Sequence, residues 1–329
     1  MTAVRRPTAT KQRAVRAPIL SARAPAPLAL RDGAGASGDR LGVRKTYKLY
    51  IGGEFPRTES GRAYEVFGAK GELLANACRA TRKDIRDAVR AARQALPDWS
   101  SRTAFNRGQV LYRIAELLEG RRDQFVGEVM TAEGLGRQRA TRLVDAAIDR
   151  WVWYAGWADK FSQMNGTVNQ VAGSYFNFSV PEPTGVVGVI APEGSSLLGL
   201  VSRLAPVIVS GNCAVVLASE SRPLPAVTLT EVLATSDAPG GVVNLITGLR
   251  RELVMHLAGH MDVNALDAYG LDPAQGAAVE ELATENVKRL VRPPRGGADA
   301  VDWLSPRAQS PYLIGEFTET KTVWHPIGA

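Results

Sequence analysis

A run of apolar, mostly β-branched residues from Gly185 to Ala191, closed by Pro192, constrains the fold of this chain more than any other segment. Its composition and the terminating proline predict a buried strand. Three further apolar strands follow, separated by helices in which apolar residues recur at helical spacing. In order, the predicted segments are a helix capped by Ser195 or Ser196 and ended by Gly211-Asn212, a strand at 213–217, a helix at 223–235, a strand at 242–247, a helix at 251–259 and a strand at 263–268.

Buried strands that alternate with helices require a parallel sheet that is covered on both faces and connected by right-handed crossovers. We therefore predict an α/β fold with a Rossmann-like, doubly wound parallel sheet. Ligands of such sheets bind at the carboxyl ends of the strands. The candidate site residues should then lie in the turns that follow Ile190, Leu217, Ile246 and Leu266.

The segment from Glu182 to Pro192, EPTGVVGVIAP, resembles the E-P-x-G-V-V-G-x-I-x-P motif of the NAD(P)-dependent aldehyde dehydrogenases. Further segments resemble motifs of the same family: Ile51-Gly52-Gly53-Glu54, Trp153 to Ala158, Leu204-Ala205-Pro206, Gly211-Asn212, Pro239 to Asn244 and Thr247-Gly248. By the resemblance of several ordered motifs, the chain is identified as a member of the aldehyde dehydrogenase superfamily.

The resemblance changes after Gly270. In the family, the strand at this place leads into a separate catalytic domain, which would need on the order of 150 residues. Only about 40 residues separate Gly270 from Pro311, and Leu313 to Trp324 then resembles the family's terminal strand, which pairs with a neighbouring subunit. The resemblance implies that the catalytic domain is missing while both flanks and the oligomerisation strands remain. The chain is then a truncated paralogue, similar to the nucleophile-lacking C-terminal half of the two-part aldehyde dehydrogenases.

The predicted organisation has four parts. They are a disordered basic tail at 1–44, an NAD(P)-binding-like domain at 45–290, a linker at 291–310 and a C-terminal oligomerisation strand at 311–329. Within the second part, residues 166–181 alternate weakly and predict a hairpin, and Tyr47 to Phe55 predicts a strand with a turn at Gly52-Gly53. The last element of that part is predicted to be one helix from Gly276 to Leu290.

No catalytic residue is predicted. The resemblance implies a cysteine thiolate that attacks the aldehyde, hydride transfer to nicotinamide, a glutamate that activates water and an asparagine that helps to hold the oxyanion. The family's nucleophile lies in the missing domain, and Cys78 and Cys213 are interpreted as buried structural thiols. The family's Pro-Trp-Asn is Pro192-Glu193-Gly194 here, so the asparagine is absent. Glu193 is a conceivable general base, but it has no nucleophile to serve.

The cofactor site is predicted to be vestigial. Seven positions match it by resemblance: Ile190, Ala191, Pro192, Ser219, Glu220, Gly248 and Gly270. The glycines that the family places after Gly248 are missing, and no lysine stands where one would contact the adenosine ribose. Arg250 and Arg251 could hold phosphate, although a solvated helix start is the favoured interpretation. No cofactor is therefore expected, and NAD(P) is kept as the alternative.

Two histidines resemble metal ligands in their spacing alone. His256 and His260 are placed as zinc ligands on a helix can be, but the glutamate of H-E-x-x-H is absent and Gly259 weakens the helix. No metal site is predicted. The sequence also contains no G-x-S-x-G elbow, and its three histidines give no plausible Ser-His-Asp ordering.

The net charge of +7 belongs to the start of the chain. Residues 1–45 hold ten Lys/Arg against two Asp, whereas the remainder holds 30 basic and 31 acidic residues. Because this tail lacks aromatic residues for stacking on bases, nucleic acid is not an expected partner. Recruitment of nucleic acid or of an acidic protein by the tail stays open as an alternative.

The location follows from two observations. No apolar run is long enough to predict a transmembrane helix, so the membrane is not an expected partner. Cys78 and Cys213 are far apart and form no CxxC pair, which suits a reducing compartment. A cytoplasmic location is therefore predicted.

The predicted function is that of a non-catalytic member of this family, which acts as a structural or regulatory subunit of an aldehyde dehydrogenase assembly. Its expected partner is a full-length aldehyde dehydrogenase subunit, a second copy of itself, or both, bound through strand 312–324. The alternative is an NAD(P)-binding subunit of an aldehyde-oxidising oxidoreductase, which contributes to activity only with a catalytic partner.

Overall fold

The structure is a computed structural model and describes residues 43–328. The basic tail predicted at 1–44 lies almost wholly outside these residues. The helices are α1 (Arg82–Ser101), α2 (Ala104–Gly120), α3 (Arg122–Glu133), α4 (Arg137–Trp157), α5 (Phe161–Asn165), α6 (Leu198–Val209), α7 (Leu224–Thr235), α8 (Arg250–Ala258), α9 (Gly276–Thr284) and α10 (Tyr312–Gly315). The strands are β1 (Thr46–Tyr47), β2 (Ala63–Phe67), β3 (Leu73–Cys78), β4 (Thr167–Asn169), β5 (Tyr175–Pro183), β6 (Val186–Ile190), β7 (Cys213–Leu217), β8 (Val243–Ile246), β9 (Ala265–Asp267), β10 (Arg289–Val291) and β11 (Thr318–Pro326).

The central sheet has five parallel strands in the order β10-β9-β6-β7-β8. β6, β7 and β8 are buried along their whole length, as expected for strands with helices on both faces. Right-handed crossovers place α6 and α7 on one face and α8 and α9 on the other, where α1 also packs. The predicted doubly wound α/β fold is confirmed, and β7 has the predicted bounds.

The strand order reverses between β6 and β9. The chain proceeds from β6 through β7 to β8 on one side, and then from β9 to β10 on the other. In sheets of this kind, the crevice at such a reversal is where ligands bind. The turns that follow β6 and β9 therefore frame the candidate site, as the sequence predicts.

The helix predicted from Gly276 to Leu290 is wrong in its second half. α9 ends at Thr284, and residues Arg289–Val291 form β10, which pairs with β9. Val287 has a φ of +54° and is 92% exposed, so it ends the helix instead of continuing its apolar face. A strand of three residues carries too little alternation to be recognised. The predicted domain boundary at 290 consequently falls inside a strand of the central sheet.

Residues 292–311, which we call the strap, correspond to the linker predicted at 291–310 and fold onto the domain. They contain 3-10 turns at Ala298–Ala300 and Pro306–Ala308. Trp303 packs on the main core, and Ala308 is buried. The proline and glycine residues of this segment break helices, but they do not prevent it from folding onto the domain.

Two polar contacts fix the strap to α4. Arg150 donates a hydrogen bond to the Trp303 carbonyl at 2.9 Å, and Tyr154 Oη donates one to the Ser310 carbonyl at 3.3 Å. Arg150 is only 2% exposed and also donates to Ser202 Oγ. A buried arginine thus holds the middle of the strap.

The hairpin predicted at 166–181 is present as β4 and β5, and its second strand continues to Pro183.

The strand predicted at 312–324 is wrong at its start. Residues 312–315 are helical, because Ile314 and Phe317 are three residues apart and are both fully buried, which a helical turn allows. β11 then pairs over its whole length with β5 of the same chain, in the sheet order β11-β5-β4. One edge of β11 is therefore paired within this chain.

The strand predicted from Tyr47 to Phe55 is short. Only Thr46–Tyr47 forms a strand, in the sheet β1-β3-β2, and Tyr50 then forms a bridge with Leu245. The predicted turn at Gly52-Gly53 is confirmed: both glycines have positive φ and close the bridge between Ile51 and Glu54.

Arg203 of α6 ties the end of the chain to the central sheet. Its side chain is 1% exposed, and its nitrogens lie 2.6 Å from Asp267 Oδ2 and 2.7 Å from Glu316 Oε2. The guanidinium lies 3.8 Å from the centre of the Tyr269 ring. Burial alone lowers the pKa of Arg203, but the two carboxylates outweigh burial and raise that pKa.

Within residues 43–328, we find no helix that combines the length and the apolar character needed to cross a bilayer.

Candidate functional site

A cleft of about 890 Å³ opens at the carboxyl edge of the central sheet. Its walls come from the turns that follow β6, β7, β8 and β9, from β2 and from the strap. The lining residues include Tyr64, Glu65, Phe67, Glu193, Glu220, Ser221, Arg250, Arg251, Tyr269 to Pro273 and Gly296 to Asp299. The cleft is therefore at the place where a doubly wound sheet binds its ligand.

The structure brings two of the seven predicted cofactor positions, Glu220 and Gly270, to the wall of this cleft. Ile190, Ala191 and Ser219 lie behind them at the strand ends and are buried. The Gly270 N–H donates to the Ile190 carbonyl at 2.9 Å, and a Cβ on Gly270 would overlap the carbonyl oxygens of Ile190 and Ala191. Gly270 is thus required by the close approach of two main-chain segments.

The other two predicted positions do not line the cleft. Pro192 packs at the start of α6, where its Cγ lies 3.2 Å from the place of a Cβ on Gly199. Gly248 has a φ of +155°, and a Cβ there would lie 3.0 Å from the Ala80 nitrogen. Backbone conformation and close packing account for Gly248 without a ligand.

Glu193 is the centre of a polar network on the cleft wall. Its carboxylate accepts hydrogen bonds from Ser219 Oγ at 2.6 Å, Ser221 Oγ at 2.8 Å and the Glu220 N–H at 2.8 Å. Arg250 Nε lies 2.6 Å from Glu193 Oε1. Burial raises the pKa of Glu193, but Arg250 and these hydrogen bonds outweigh burial and hold the pKa below its ordinary value. Glu193 is therefore an ionised carboxylate that already accepts several hydrogen bonds, and its lowered pKa makes it a weaker base than an ordinary glutamate.

Arg250 closes this network from the first residue of α8. Its Nη1 donates to the Gly270 carbonyl at 2.6 Å, and its Nη2 donates to the carbonyls of Ala191 and, at 3.4 Å, Ala218. Its side chain is 12% exposed. Burial lowers the pKa of Arg250, while Glu193 opposes this shift. A guanidinium stays protonated under such conditions, so Arg250 supplies a buried positive charge at the meeting point of the turns.

Glu220 occupies the start of α8. Its Oε2 accepts a hydrogen bond from the Arg250 N–H at 2.7 Å. A helix start attracts anions because its first N–H groups lack partners and the helix dipole is positive there. The solvated helix start predicted for Arg250 and Arg251 is wrong for Arg250, since that side chain turns inward to Glu193. Arg251 is exposed, as predicted.

These residues do not fit the pyrophosphate of a dinucleotide. The helix position that would hold a phosphate already binds the Glu220 carboxylate, and the guanidinium of Arg250 is engaged with Glu193. The cleft lining carries five carboxylates against two guanidinium groups: Glu65, Glu193, Glu220, Asp272 and Asp299 against Arg250 and Arg251. An anion would meet net repulsion there. We therefore derive no chemical step that passes through NAD(P).

Neither cysteine is placed as a nucleophile. Cys78 and Cys213 are free, buried and absent from the cleft wall. Burial raises the pKa of Cys213 to about 12, whereas an attacking thiol needs a lowered pKa. His256 and His260 belong to no cluster: in the part of the chain that the structure describes, no three His, Cys, Asp or Glu side chains are grouped to hold a metal ion.

The sequence profile of the aldehyde dehydrogenase family matches residues 57–300, which include the whole central sheet. This chain belongs to the aldehyde dehydrogenase family. The human retinal dehydrogenase 2 (Homo sapiens) is 31% identical over 253 residues, which cover 75% of this chain and 48% of that protein. The protein named aldehyde dehydrogenase, cytosolic 1, from Elephantulus edwardii is 30% identical over 250 residues, which cover 74% of this chain and 49% of that protein.

Solved structures of the aldehyde dehydrogenase family give the same result. HpcC from Thermus thermophilus has 29% sequence identity and a TM-score of 0.70, over 75% of this chain and 47% of that chain. The NAD+ complex of the aldehyde dehydrogenase from Bacillus cereus has 26% identity and a TM-score of 0.70, over 75% of this chain and 50% of that chain. This family member therefore spans about half the length of the relatives it matches. The predicted family and its shortened α/β fold are confirmed.

The sequence reasoning missed the partnership of Glu193 and Arg250. A signal was present, because the two opposite charges lie within four residues of the ends of β6 and β8, and these ends share one edge of the sheet. Their pairing could not be inferred from local pattern, since charged residues near strand ends and helix starts are usually solvated.

Proposed function

We propose that this member of the aldehyde dehydrogenase family is non-catalytic and acts as a structural or regulatory subunit of an aldehyde dehydrogenase assembly. The observation that carries the proposal is the sheet β11-β5-β4, which we call the docking sheet. It combines β11 with β4 and β5, although only the short strap and α10 stand between β10 and β11. The partner is a full-length aldehyde dehydrogenase subunit or a second copy of this chain, and the expected compartment is the cytoplasm.

One face of the docking sheet carries an exposed apolar patch. Because side chains alternate along strands and paired residues share a face, five apolar residues lie together on it: Val168, Phe176, Phe178, Val180 and Val323. The ion pair of Glu182 and Lys321 lies on the same face, towards the start of β11. The rings of Phe176 and Phe178 are 5.4 Å apart, and Val168 and Phe176 are 69% and 45% exposed. On the opposite face, Asn177 and Ser179 are buried. An exposed apolar patch that is bordered by charged side chains favours a protein partner.

The outer edge of β11 is open for strand addition. The Thr184 N–H donates to the Phe317 carbonyl at 3.2 Å, and the Ile327 N–H donates to the Ser174 carbonyl at 2.9 Å. Because bonded and non-bonded pairs alternate in an antiparallel ladder, the odd-numbered residues of β11 direct their backbone groups to β5. The even-numbered residues from 318 to 324 direct theirs outward, where no strand within residues 43–328 pairs with them. An edge of this kind needs a partner.

The state of the cleft supports the non-catalytic part of the proposal. The ion pair of Glu193 and Arg250 fills the meeting point of the turns, and Glu220 caps α8. Cys213 and Cys78 are buried away from the cleft. None of these features favours acyl transfer or hydride transfer.

The alternative, an NAD(P)-binding subunit that assists a catalytic partner, is favoured by one observation. The cleft is large and lies where this fold binds ligands. A saturable rise of the Tm with NAD+ would support that alternative.

The decisive experiment measures the mass of the native assembly purified from the chain's own cell. The wild type is expected to carry a full-length aldehyde dehydrogenase or a second copy of itself. Thr320→Pro removes an outward N–H and should reduce the assembly without lowering the Tm, because proline is tolerated on the open side of an edge strand. Lys321→Pro is the matched control: it breaks the ladder to β5 and should lower the Tm instead.

A second variant tests the apolar face. Val168→Lys places a charge on that face at an exposed position and should also weaken the assembly. A wild-type chain that is a stable monomer at micromolar concentration would contradict the proposal. So would an assembly that survives Thr320→Pro and Val168→Lys combined.

A further inference from the structure

Four turns at the carboxyl edge of the central sheet are joined by one guanidinium group. Arg250 starts from the turn after β8 and donates to the carbonyls of Ala191, Ala218 and Gly270, which follow β6, β7 and β9. Glu193 compensates its charge from a distance of 2.6 Å. In sheets of this kind a bound ligand usually occupies this place, whereas here a side chain of the protein itself does.

We propose that Arg250, Glu193 and Glu220 form an internal latch, which takes the place of a dinucleotide and holds the turns behind the cleft together without one. The Arg250 guanidinium bridges the turns, and the Glu220 carboxylate fills the anion position at the start of α8. This inference rests on the proposed function and deepens it. A subunit that needs no cofactor can keep its docking sheet folded whether or not its partner holds a cofactor.

An anion could bind at the latch only by displacing contacts that the latch residues already make. A pyrophosphate would have to displace Glu220 from the Arg250 N–H, a contact of 2.7 Å. It would also have to draw the guanidinium away from Glu193 and from three carbonyl oxygens. The contact with Glu193 is an ion pair, and the others are charge-assisted hydrogen bonds, which are stronger than neutral ones. The excess of carboxylates in the lining opposes the same entry.

Arg250 and Glu193 each depend on the other for compensation of their charge, because neither side chain is fully solvated. Their side chains are 12% and 37% exposed, respectively. Removal of one partner leaves the other charge poorly compensated and lowers the stability of the fold, so removal of the second partner costs little more stability. The stability losses of two single substitutions in the latch should therefore not add up in the double variant, whereas those of substitutions at unconnected residues should.

The test uses the complete 329-residue chain and thermal unfolding. Arg250→Ala, Glu193→Gln and the double variant are compared with Arg251→Ala, the matched control, since Arg251 lines the same cleft and is exposed. We expect each latch variant to lower the Tm by on the order of 3–6 °C, because Glu193 is 37% exposed and solvent screens part of its charge. The double variant should lie within about 2 °C of the lower single variant, and the control within about 2 °C of the wild type.

Arg250→Lys tests the latch even if Arg250→Ala does not fold. Lysine keeps the positive charge towards Glu193 but lacks the planar fork that reaches the carbonyls. Its loss of Tm should be about half of the loss expected for the alanine variant.

Nucleotides supply the second readout. With millimolar NAD+ or NADP+, the wild type and Arg251→Ala should show no saturable rise of the Tm. Additive losses of Tm in the double variant, or a saturable rise of the wild-type Tm with either nucleotide, would overturn the latch. Neither result bears on assembly through β11, whose failure is seen in the native mass, so the two proposals fail separately.

Discussion

Arg203 and Arg250 bury positive charge in two different ways. Arg203 has two carboxylates within hydrogen-bond distance and lies over the Tyr269 ring. Arg250 has one carboxylate and depends on main-chain carbonyls for the rest. Burial lowers the pKa of both, but only for Arg203 do the carboxylates reverse the shift. A buried charge of either kind is strongly destabilising once its partner is lost.

The first prediction at this scale concerns Asp267→Asn. The amide keeps the shape of the side chain but removes the charge that faces Arg203, which is then left with Glu316 alone. We expect the free energy of unfolding in urea to fall by about 3 kcal/mol. Asp123→Asn is the matched control, since Asp123 is 81% exposed in its pair with Arg137 and should change stability by less than about 1 kcal/mol. Equal effects of the two substitutions would count against a structural role for the buried pair.

At the scale of elements, the strap has the composition of a linker but is packed on the domain. It returns from β10 across α4 to α10, and Asp299 lines the cleft on the way. Asp299 Oδ1 lies 2.8 Å from the place of a Cβ on Gly194, in the turn after β6. The strap thus packs against α4 and against the turn that follows β6.

The prediction for this element is that Arg150→Met releases the strap. Methionine fills part of the buried space but cannot donate to the Trp303 carbonyl. The loss of a charged hydrogen bond of about 1.5 kcal/mol should make local opening about tenfold more frequent. Limited trypsin digestion after Arg295 and Arg307 should accelerate by a similar factor. Arg142→Met, an exposed arginine on the same helix, is the control; the same digestion rate in both variants would show that Arg150 does not anchor the strap.

At the scale of the whole molecule, the central sheet and the docking sheet are connected twice, directly from β5 to β6 and through the strap and α10. The carboxyl edge of the central sheet carries the ion pair of Arg250 and Glu193, and the docking sheet presents an open edge. The proposed role as a protein-binding subunit requires both features.

The prediction at this scale is that the purified chain alone does not reduce NAD+ or NADP+ in the presence of an aldehyde. No accessible thiolate is expected, because Cys78 and Cys213 are buried and burial raises the pKa of Cys213 to about 12. Nicotinamide absorbance measures turnover. A thiol reagent under mildly alkaline conditions should modify neither cysteine in the native chain and both in urea. Aldehyde-dependent reduction by the chain without a companion would refute the non-catalytic proposal.

Much of the central sheet could be predicted from local pattern. β7 has its predicted bounds because five apolar residues between a glycine turn and a polar turn form a strand in any such context. β10 could not be predicted, since three residues after Val287 carry no periodic signal and are ordered by β9. The start of β11 is predicted wrongly because Ile314 and Phe317 are buried by α6 and the sheet, which alternation does not reveal.

The sequence by itself determined the family, the parallel sheet and the edge at which a ligand would bind, because apolar periodicity and ordered motifs are local properties of the chain. Only the tertiary structure decided what lies at that edge. Glu193 and Arg250 are far apart in the sequence, and their ion pair forms because the sheet brings the ends of its strands together. Such pairing depends on distances between turns, which no single segment of the sequence contains.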